Sequence, residues 1–158
     1  MKHEKSKELT GFMWNELQNE NDIRQFMERF CYLHDSCIKE MYYVSGANVD
    51  HELWMHPLND RRILRIVIQR QFEDAPVIEL EFEGMNYMKL FPADENYTCE
   101  IFESTLFIKD GLIYWADNTG VPKDRLESYE KTIVCAAKMR WRALENCLGE
   151  QAFYRPIQ

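Results

Sequence analysis

Residues 62–91, RILRIVIQRQFEDAPVIELEFEGMNYMKLF, decide the fold of this chain. Two runs in this stretch alternate apolar and polar residues, and the acidic segment EDAP separates them. Such alternation is typical of β-strands that bury one face. The apolar face of the first strand carries Leu64, Ile66, Ile68 and Phe72, interrupted by Arg70, and that of the second carries Ile78, Leu80 and Phe82. The stretch therefore predicts a β-hairpin.

The length of the loop in this hairpin sets the pairing. A five-residue loop, residues 73–77, pairs Ile68 with Phe82, so that apolar side chains meet. A four-residue loop would place Ile68 beside Glu81, and a slip of one residue turns a whole set of side chains to the wrong face. We therefore predict the five-residue loop, in which Pro76 removes no donor from the ladder.

The segments before the hairpin predict one helix and a strand. Asn21 or Asp22 is expected to cap a helix that packs on the sheet. Its apolar stripe consists of Ile23, Phe26, Met27 and Phe30. Residues 37–44 alternate as a strand, and the alternation predicts another strand at residues 100–108, beyond the hairpin.

Asp110-Gly111 is the strongest local signal, because this dipeptide favours a two-residue type I′ turn. The turn pairs Ile108 with Ile113 and Leu106 with Trp115. Residues 132–143 are ambiguous: their composition favours a helix, whereas their alternation favours a strand, which we predict. Residues 1–10 are expected to be a frayed N-terminus, and residues 144–158 form a tail without an assigned structure.

These elements predict an α+β fold: a single domain, residues 1–158, in which a mostly antiparallel β meander sheet has an N-terminal helix packed on one face. A chain of 158 residues is long enough to bury a core without disulfide or metal support. The predicted buried residues are Ile66, Ile68, Leu80, Phe82, Leu106, Ile113 and Trp115.

Composition restricts the classes of function. The five cysteines are scattered and odd in number, which indicates reduced thiols and a cytoplasmic protein. The sequence has no uncharged apolar run long enough to predict a membrane span, and the charged N-terminus has no signal-peptide pattern. The net charge of −8 argues against nucleic acid as a partner. We expect no cofactor and no metal site.

The acidic residues are concentrated in one part of the chain. Between residues 71 and 103 nine acidic residues stand against one lysine. Glu79, Glu81 and Glu83 share one strand face and are predicted to face solvent, so that Glu79 and Glu81 pointing inward would contradict the register. Such a ladder is either a solvated surface or a docking face for a basic protein, since complementary charge selects partners.

Two groups of residues suggest chemistry. His34-Asp35, with Cys31 nearby, suggests a general base or a thiol nucleophile, although adjacent residues on an extended backbone point apart. A second group, Asp50, His51, His56 and Asp60, contains zinc-ligand types but does not match a known zinc spacing. Turn and surface roles are the simpler interpretation of both groups.

Five segments resemble small uncharacterised bacterial β-rich proteins that have a His-Asp-Ser/Ala turn, some of which are similar to immunity proteins of polymorphic toxin systems. They are LHDSCIKEMYYVSG, RILRIVIQRQF, VIELEFEGMNYMKL, ENYTCEIFESTLFI and TIVCAAKMRWRAL. His34, Asp35 and Ser36 match the turn. The resemblance implies a bacterial cytosolic protein and supplies no catalytic residues.

The leading expectation is a non-catalytic, immunity-like binding protein that docks a basic partner through Glu79, Glu81 and Glu83. One alternative is a small-molecule enzyme or binder with a cleft near His34 and Asp35. Another is a structural homo-oligomer, because an apolar second sheet face would expose Phe107, Tyr114 and Tyr87.

Overall fold

The computed structural model describes residues 13–154, which form one α-helix packed on a seven-stranded antiparallel sheet and a separate two-stranded hairpin. The predicted frayed segment, residues 1–10, and the last four residues of the tail lie outside the described residues. The elements are β1 (Asn15–Leu17), α1 (Glu20–Arg29), β2 (Ser36–Val44), β3 (Asn48–Val49), β4 (Met55–His56), β5 (Ile63–Arg70), β6 (Val77–Lys89), β7 (Thr105–Lys109), β8 (Leu112–Ala116) and β9 (Ile133–Ala143).

The strand order in the large sheet is β2-β5-β6-β9-β8-β7, and β1 also pairs with β9. The predicted α+β class with an N-terminal helix is therefore confirmed. The ambiguous segment is the strand β9, as its alternation predicted. It lies between β6 and β8 and so interrupts the simple meander.

The main core lies between α1 and one face of the sheet. Ile23, Phe26 and Met27 of α1 are buried, and all seven residues predicted to be buried are buried. The helix begins earlier than predicted, because Asn19 caps it: its Oδ1 accepts from the backbone N–H groups of Asn21 and Asp22. The Asp110-Gly111 turn pairs Leu106 with Trp115, as predicted.

The predicted register of the central hairpin is wrong by four residues, because Ile68 pairs with Ile78 and not with Phe82. Both registers match apolar with apolar, so alternation alone could not separate them. The position of Arg70 distinguishes the observed register from the predicted one. Its side chain is buried between the rings of Phe30 and Phe72, and its Nη1 donates to two loop carbonyls at 2.8 and 2.9 Å. The loop therefore spans residues 71–76.

The second face of the sheet is covered as well. A second core cluster consists of Phe107, Tyr114, Ala116, Leu126, Tyr129, Ile133 and Cys135. The expected exposure of Phe107 and Tyr114 is wrong, because the long connection from β8 to β9 contributes Leu126 and Tyr129 to their burial. Tyr87 packs at the margin of this cluster.

Over residues 13–154, none of the five cysteines forms a disulfide bond. Cys31 and Cys99 are exposed, whereas Cys135 and Cys147 are buried. Over residues 13–154, no helix has the length and apolar character needed to cross a membrane.

Candidate functional site

The glutamates of β6 point away from the main core, as the alternation predicted, but they do not face solvent. Glu79 and Glu81 are 0 % exposed, whereas the Glu83 side chain is 38 % exposed. The prediction of a solvent-facing ladder is wrong because the second sheet face is itself covered. A cluster of Val67, Val77, Leu144 and Cys147 lies on that face, with Phe153 and Tyr154 packed against it.

Arginines from the two neighbouring strands neutralise the buried carboxylates. Arg65 of β5 donates from Nε to Oε2 of Glu81 at 2.7 Å, and Arg140 of β9 donates from Nε to Oε1 at 2.7 Å. Nη2 of Arg142 lies 3.4 Å from Oε1 of Glu79. Glu79 and Glu81 therefore stabilise the sheet and do not present free charge to a partner.

The sequence contained a signal for this network. The second half of β9 carries basic residues at every second position, and the sheet places Lys138, Arg140 and Arg142 opposite Glu83, Glu81 and Glu79. Opposite charges on directly paired residues stabilise a sheet. The pairing of β6 with β5 provides one such match, Arg65 opposite Glu81, whereas the pairing of β6 with β9 provides one for each of the three glutamates.

A second acidic feature remains exposed. Residues 90–104 connect β6 to β7 and contain neither a helix nor a named strand; we call them the acidic loop. The loop carries four carboxylates, Asp94, Glu95, Glu100 and Glu103, and no lysine or arginine. Phe91, Tyr97 and Phe102 are 48, 77 and 62 % exposed. Such long loops are uncommon in compact domains and are often functional.

The acidic loop is fixed to the segment between α1 and β2. The backbone N–H of Ile101 donates to the carbonyl of Ser36 at 2.7 Å. The backbone N–H and the hydroxyl of Ser104 both donate to the carbonyl of Tyr32, at 2.8 and 3.1 Å. These contacts replace the first half of the strand predicted at residues 100–108, so that β7 begins only at Thr105.

The charges of the acidic loop are not neutralised by the described structure. Over residues 13–154, none of its four carboxylates forms an ion pair. The backbone N–H and the side-chain amide of Asn96 donate to Oδ1 of Asp94 at 3.0 and 2.9 Å. These hydrogen bonds lower the pKa of Asp94.

A left-handed turn, Cys31–Leu33, connects α1 to β2. The φ angles of Cys31, Tyr32 and Leu33 are 50°, 55° and 57°. A residue with a Cβ in this conformation costs roughly 1–2 kcal/mol, and such strain is often found at functional sites. Leu33 is buried, whereas Tyr32 is 43 % exposed. The turn therefore holds an aromatic side chain at the surface beside the acidic loop.

We expect Cys31→Gly to stabilise the protein by about 1 kcal/mol, because glycine removes the steric penalty at a positive φ. The measurement is urea denaturation followed by circular dichroism. Cys99→Gly is the matched control, since Cys99 is an exposed thiol without a positive φ. An equal loss of stability in both variants would show that the turn is not strained.

His34 and Asp35 contact each other directly, with His34 Nδ1 2.9 Å from Asp35 Oδ1. The expectation that the two side chains point apart is wrong because it assumed an extended backbone, whereas Asp35 has a φ of 54°. Both side chains are about half exposed. The contact orients the imidazole ring, which borders a cavity beside the left-handed turn.

A cavity of about 490 Å³ lies between the left-handed turn and the acidic loop; we call it the notch. Its lining residues are Glu28, Cys31, Tyr32, His34, Phe102 and Glu103. Of the two residues predicted to border a cleft, His34 lines the notch and Asp35 does not. The notch combines two exposed aromatic rings with two carboxylates, and sequence reasoning missed both pairs because they come from three separate segments.

A larger cavity of about 900 Å³ lies where the 71–76 loop meets the end of β9. Its walls include Arg29, Asp74 and Trp141. Nε of Arg29 lies 3.7 Å from Oδ2 of Asp74, and its guanidinium carbon lies 5.1 Å from the centroid of the Trp141 ring. Asn15, Glu145 and Asn146 also line this cavity, so its charged side chains are of both signs, whereas the notch contains two glutamates and neither lysine nor arginine.

The β3–β4 hairpin carries the most exposed apolar group: Val49, Leu53, Trp54, Met55 and Leu58 are between 52 and 84 % exposed. Asp50 holds its turn through Oδ1, which accepts from the backbone N–H groups of Glu52 and Trp54 at 3.0 Å. Its Oδ2 lies 2.7 Å from Nε2 of His56, a contact that lowers the pKa of Asp50. Asp50 and His56, two of the zinc-ligand types noted in the sequence, thus have a structural role here.

Comparison with known proteins gives no match: no family model, no curated protein and no solved structure is similar to this chain.

Proposed function

We propose that this protein is a non-catalytic binding protein that docks a basic protein partner through the acidic loop. The observation that carries the proposal is the loop itself: one anchored segment without a basic residue holds three exposed aromatic side chains and four carboxylates that form no ion pair with residues 13–154. Aromatic residues are enriched at the centres of protein interfaces, and complementary charge selects the partner.

The proposed partner is the basic protein expected from the sequence. The proposed docking surface is the acidic loop, and no longer the glutamates of β6. Arg65, Arg140 and Arg142 neutralise Glu79 and Glu81. These two of the three β6 glutamates therefore present no free charge to a partner. The acidic loop lies in the same acid-rich part of the chain and is open to solvent. The net charge of −8 adds a long-range attraction to a basic protein.

The resemblance to immunity proteins supports a more specific version of this proposal. In that version the partner is a basic toxin domain, such as a nuclease that must itself bind phosphate backbones. Binding through the acidic loop would then cover the cationic surface of the toxin, and the protein would act by occlusion without chemistry of its own.

Neutralising the acidic loop is expected to reduce the association rate with the partner by about 10- to 100-fold at low salt, because steering by opposite charge is lost. The variant combines Asp94→Asn, Glu95→Gln, Glu100→Gln and Glu103→Gln. The partner is captured from a lysate of the source cells, identified and purified. Its association and dissociation rates are then measured at ionic strengths between about 0.01 and 1 M, over which the Debye length falls from about 30 to about 3 Å.

The matched control replaces four exposed glutamates outside the loop, Glu16, Glu20, Glu52 and Glu145, with glutamine. This control changes the net charge by the same amount and is expected to change the rate less than threefold, since none of these charges belongs to the docking segment. Equal rates for the loop variant and the wild type, with the same salt dependence, would overturn the proposal.

A second candidate function is self-association through the β3–β4 hairpin, which the exposure of Leu53, Trp54 and Met55 favours. Rigid exposed aromatic residues are frequent interface hot spots. Light scattering of the wild type and of a Leu53→Ser/Trp54→Ser variant tests this candidate. A wild type that is monomeric at high concentration removes it, whereas a dimer that the variant loses supports it.

A further inference from the structure

We propose that the notch binds the guanidinium group of an arginine side chain from the basic partner. This inference rests on the proposed function and deepens it, since it names the partner group that the docking surface recognises. Glu28 from the last turn of α1 and Glu103 from the acidic loop supply negative charge, and the rings of Tyr32 and Phe102 supply aromatic surface.

The chemistry of the lining favours a cation over other ligands. A cation near an aromatic ring is attracted by the ring quadrupole, and a carboxylate adds a charge-assisted hydrogen bond. Over residues 13–154, neither Glu28 nor Glu103 forms an ion pair. An incoming cation would therefore not have to displace a resident one, whereas an anionic ligand would meet two like charges.

Arginine suits the notch better than lysine. Its planar guanidinium stacks on aromatic rings and presents five donors in a fixed arrangement, whereas the ammonium of lysine is a compact and strongly hydrated charge. The notch has two carboxylates from different segments and two aromatic rings, which match both properties of the guanidinium. Its volume of about 490 Å³ is ample for one such side chain.

The notch is built in advance of binding. The left-handed turn places Tyr32, and its carbonyl accepts from the backbone N–H and hydroxyl of Ser104, next to Glu103. These hydrogen bonds join the two walls of the notch to each other. A site whose walls are already fixed loses less conformational entropy on binding.

The test titrates the ¹⁵N-labelled protein with N-acetyl-L-arginine amide and follows backbone amide shifts. We expect saturable shifts at Glu28, Tyr32, His34, Phe102 and Glu103. N-acetyl-L-citrulline amide has nearly the same shape without the charge, and we expect it to bind at least tenfold more weakly. Equal shifts from citrulline, or arginine shifts spread over the acidic surface, would overturn the inference.

Two variants separate the contributions of the ring and the charge. Phe102→Leu keeps an apolar side chain and Glu103→Gln keeps the shape, and each is expected to weaken binding of the arginine amide about three- to fivefold. Tyr43→Leu and Glu52→Gln are matched changes of exposed residues outside the acidic loop and should leave the affinity for the arginine amide within about 1.5-fold. Loss of affinity in all four variants alike would contradict a localised site.

Failure of this inference is distinguishable from failure of the proposed function. If the notch does not bind the arginine amide while neutralisation of the acidic loop still slows association with the partner, only the arginine assignment falls. If the notch binds the arginine amide but partner association is unchanged in the loop variant, the proposed docking role falls. Binding of the amide together with slower association of the neutralised loop variant and faster dissociation of the Phe102→Leu variant from the partner supports both.

Discussion

Glu81→Lys is expected to unfold the protein. The side chain of Glu81 is fully buried between Arg65 and Arg140, with contacts of 2.6 to 2.7 Å. Removing one partner of a buried ion pair costs about 3–5 kcal/mol, and a lysine adds repulsion to both arginines. A loss of this size removes much of the ~5–15 kcal/mol that stabilises a typical domain. The measurement is urea denaturation followed by circular dichroism.

Glu83→Lys is the matched control because it lies two residues along the same strand face. Its side chain is 38 % exposed and its nearest basic atom, Nε of Arg140, lies 3.6 Å away. Partly exposed ion pairs contribute little, so we expect a loss of about 1 kcal/mol or less. A Glu81→Lys protein as stable as the Glu83→Lys protein would show that the buried network does not stabilise the sheet.

Trp115→Ala is expected to reduce the free energy of unfolding by about 3–5 kcal/mol, the usual cost of removing a large core aromatic. Trp115 on β8 is fully buried and pairs with Leu106 and Val134 on the flanking strands. Its ring centroid lies 6.4 Å from that of Phe82, so the substitution leaves a cavity inside the main core. Guanidinium denaturation monitors the change.

Trp115→Phe separates packing from hydrogen bonding. Over residues 13–154, the buried Nε1 of Trp115 has no hydrogen-bond partner. Phenylalanine retains most of the apolar contact and removes an unsatisfied donor, a change that offsets part of the lost packing. We expect it to cost less than about 1.5 kcal/mol. A loss equal to that of Trp115→Ala would contradict the expectation that the apolar contacts of the ring, and not its N–H group, stabilise the core.

Much of the fold follows from local patterns. Alternation identifies the strands and their buried faces, since it reports which side chains share a face. It does not report which residues pair across strands, so the register around Ile68 depends on the unusual burial of Arg70 between two aromatic rings. The position of β9 in the sheet is likewise a long-range choice, for which the basic residues opposite Glu79 and Glu81 provide the sequence evidence.

The candidate site was less predictable than the fold. The concentration of acidic residues between 71 and 103 is visible in the sequence, but the split between buried and exposed carboxylates depends on neighbours from distant strands. The notch depends on the left-handed turn at Tyr32. Residues 31–33 include no glycine or asparagine, the residue types that usually indicate such a turn. Three non-glycine residues in this conformation are rare, so local propensity cannot predict them.

The most direct test of the docking proposal is hydrogen–deuterium exchange of the protein alone and in complex with its purified partner. The proposal predicts slower exchange on binding in residues 90–104 and at the left-handed turn, with little change in the β3–β4 hairpin and at Glu79 and Glu81. Slower exchange confined to the hairpin, with the acidic loop unchanged, would contradict the proposal that the acidic loop is the docking surface.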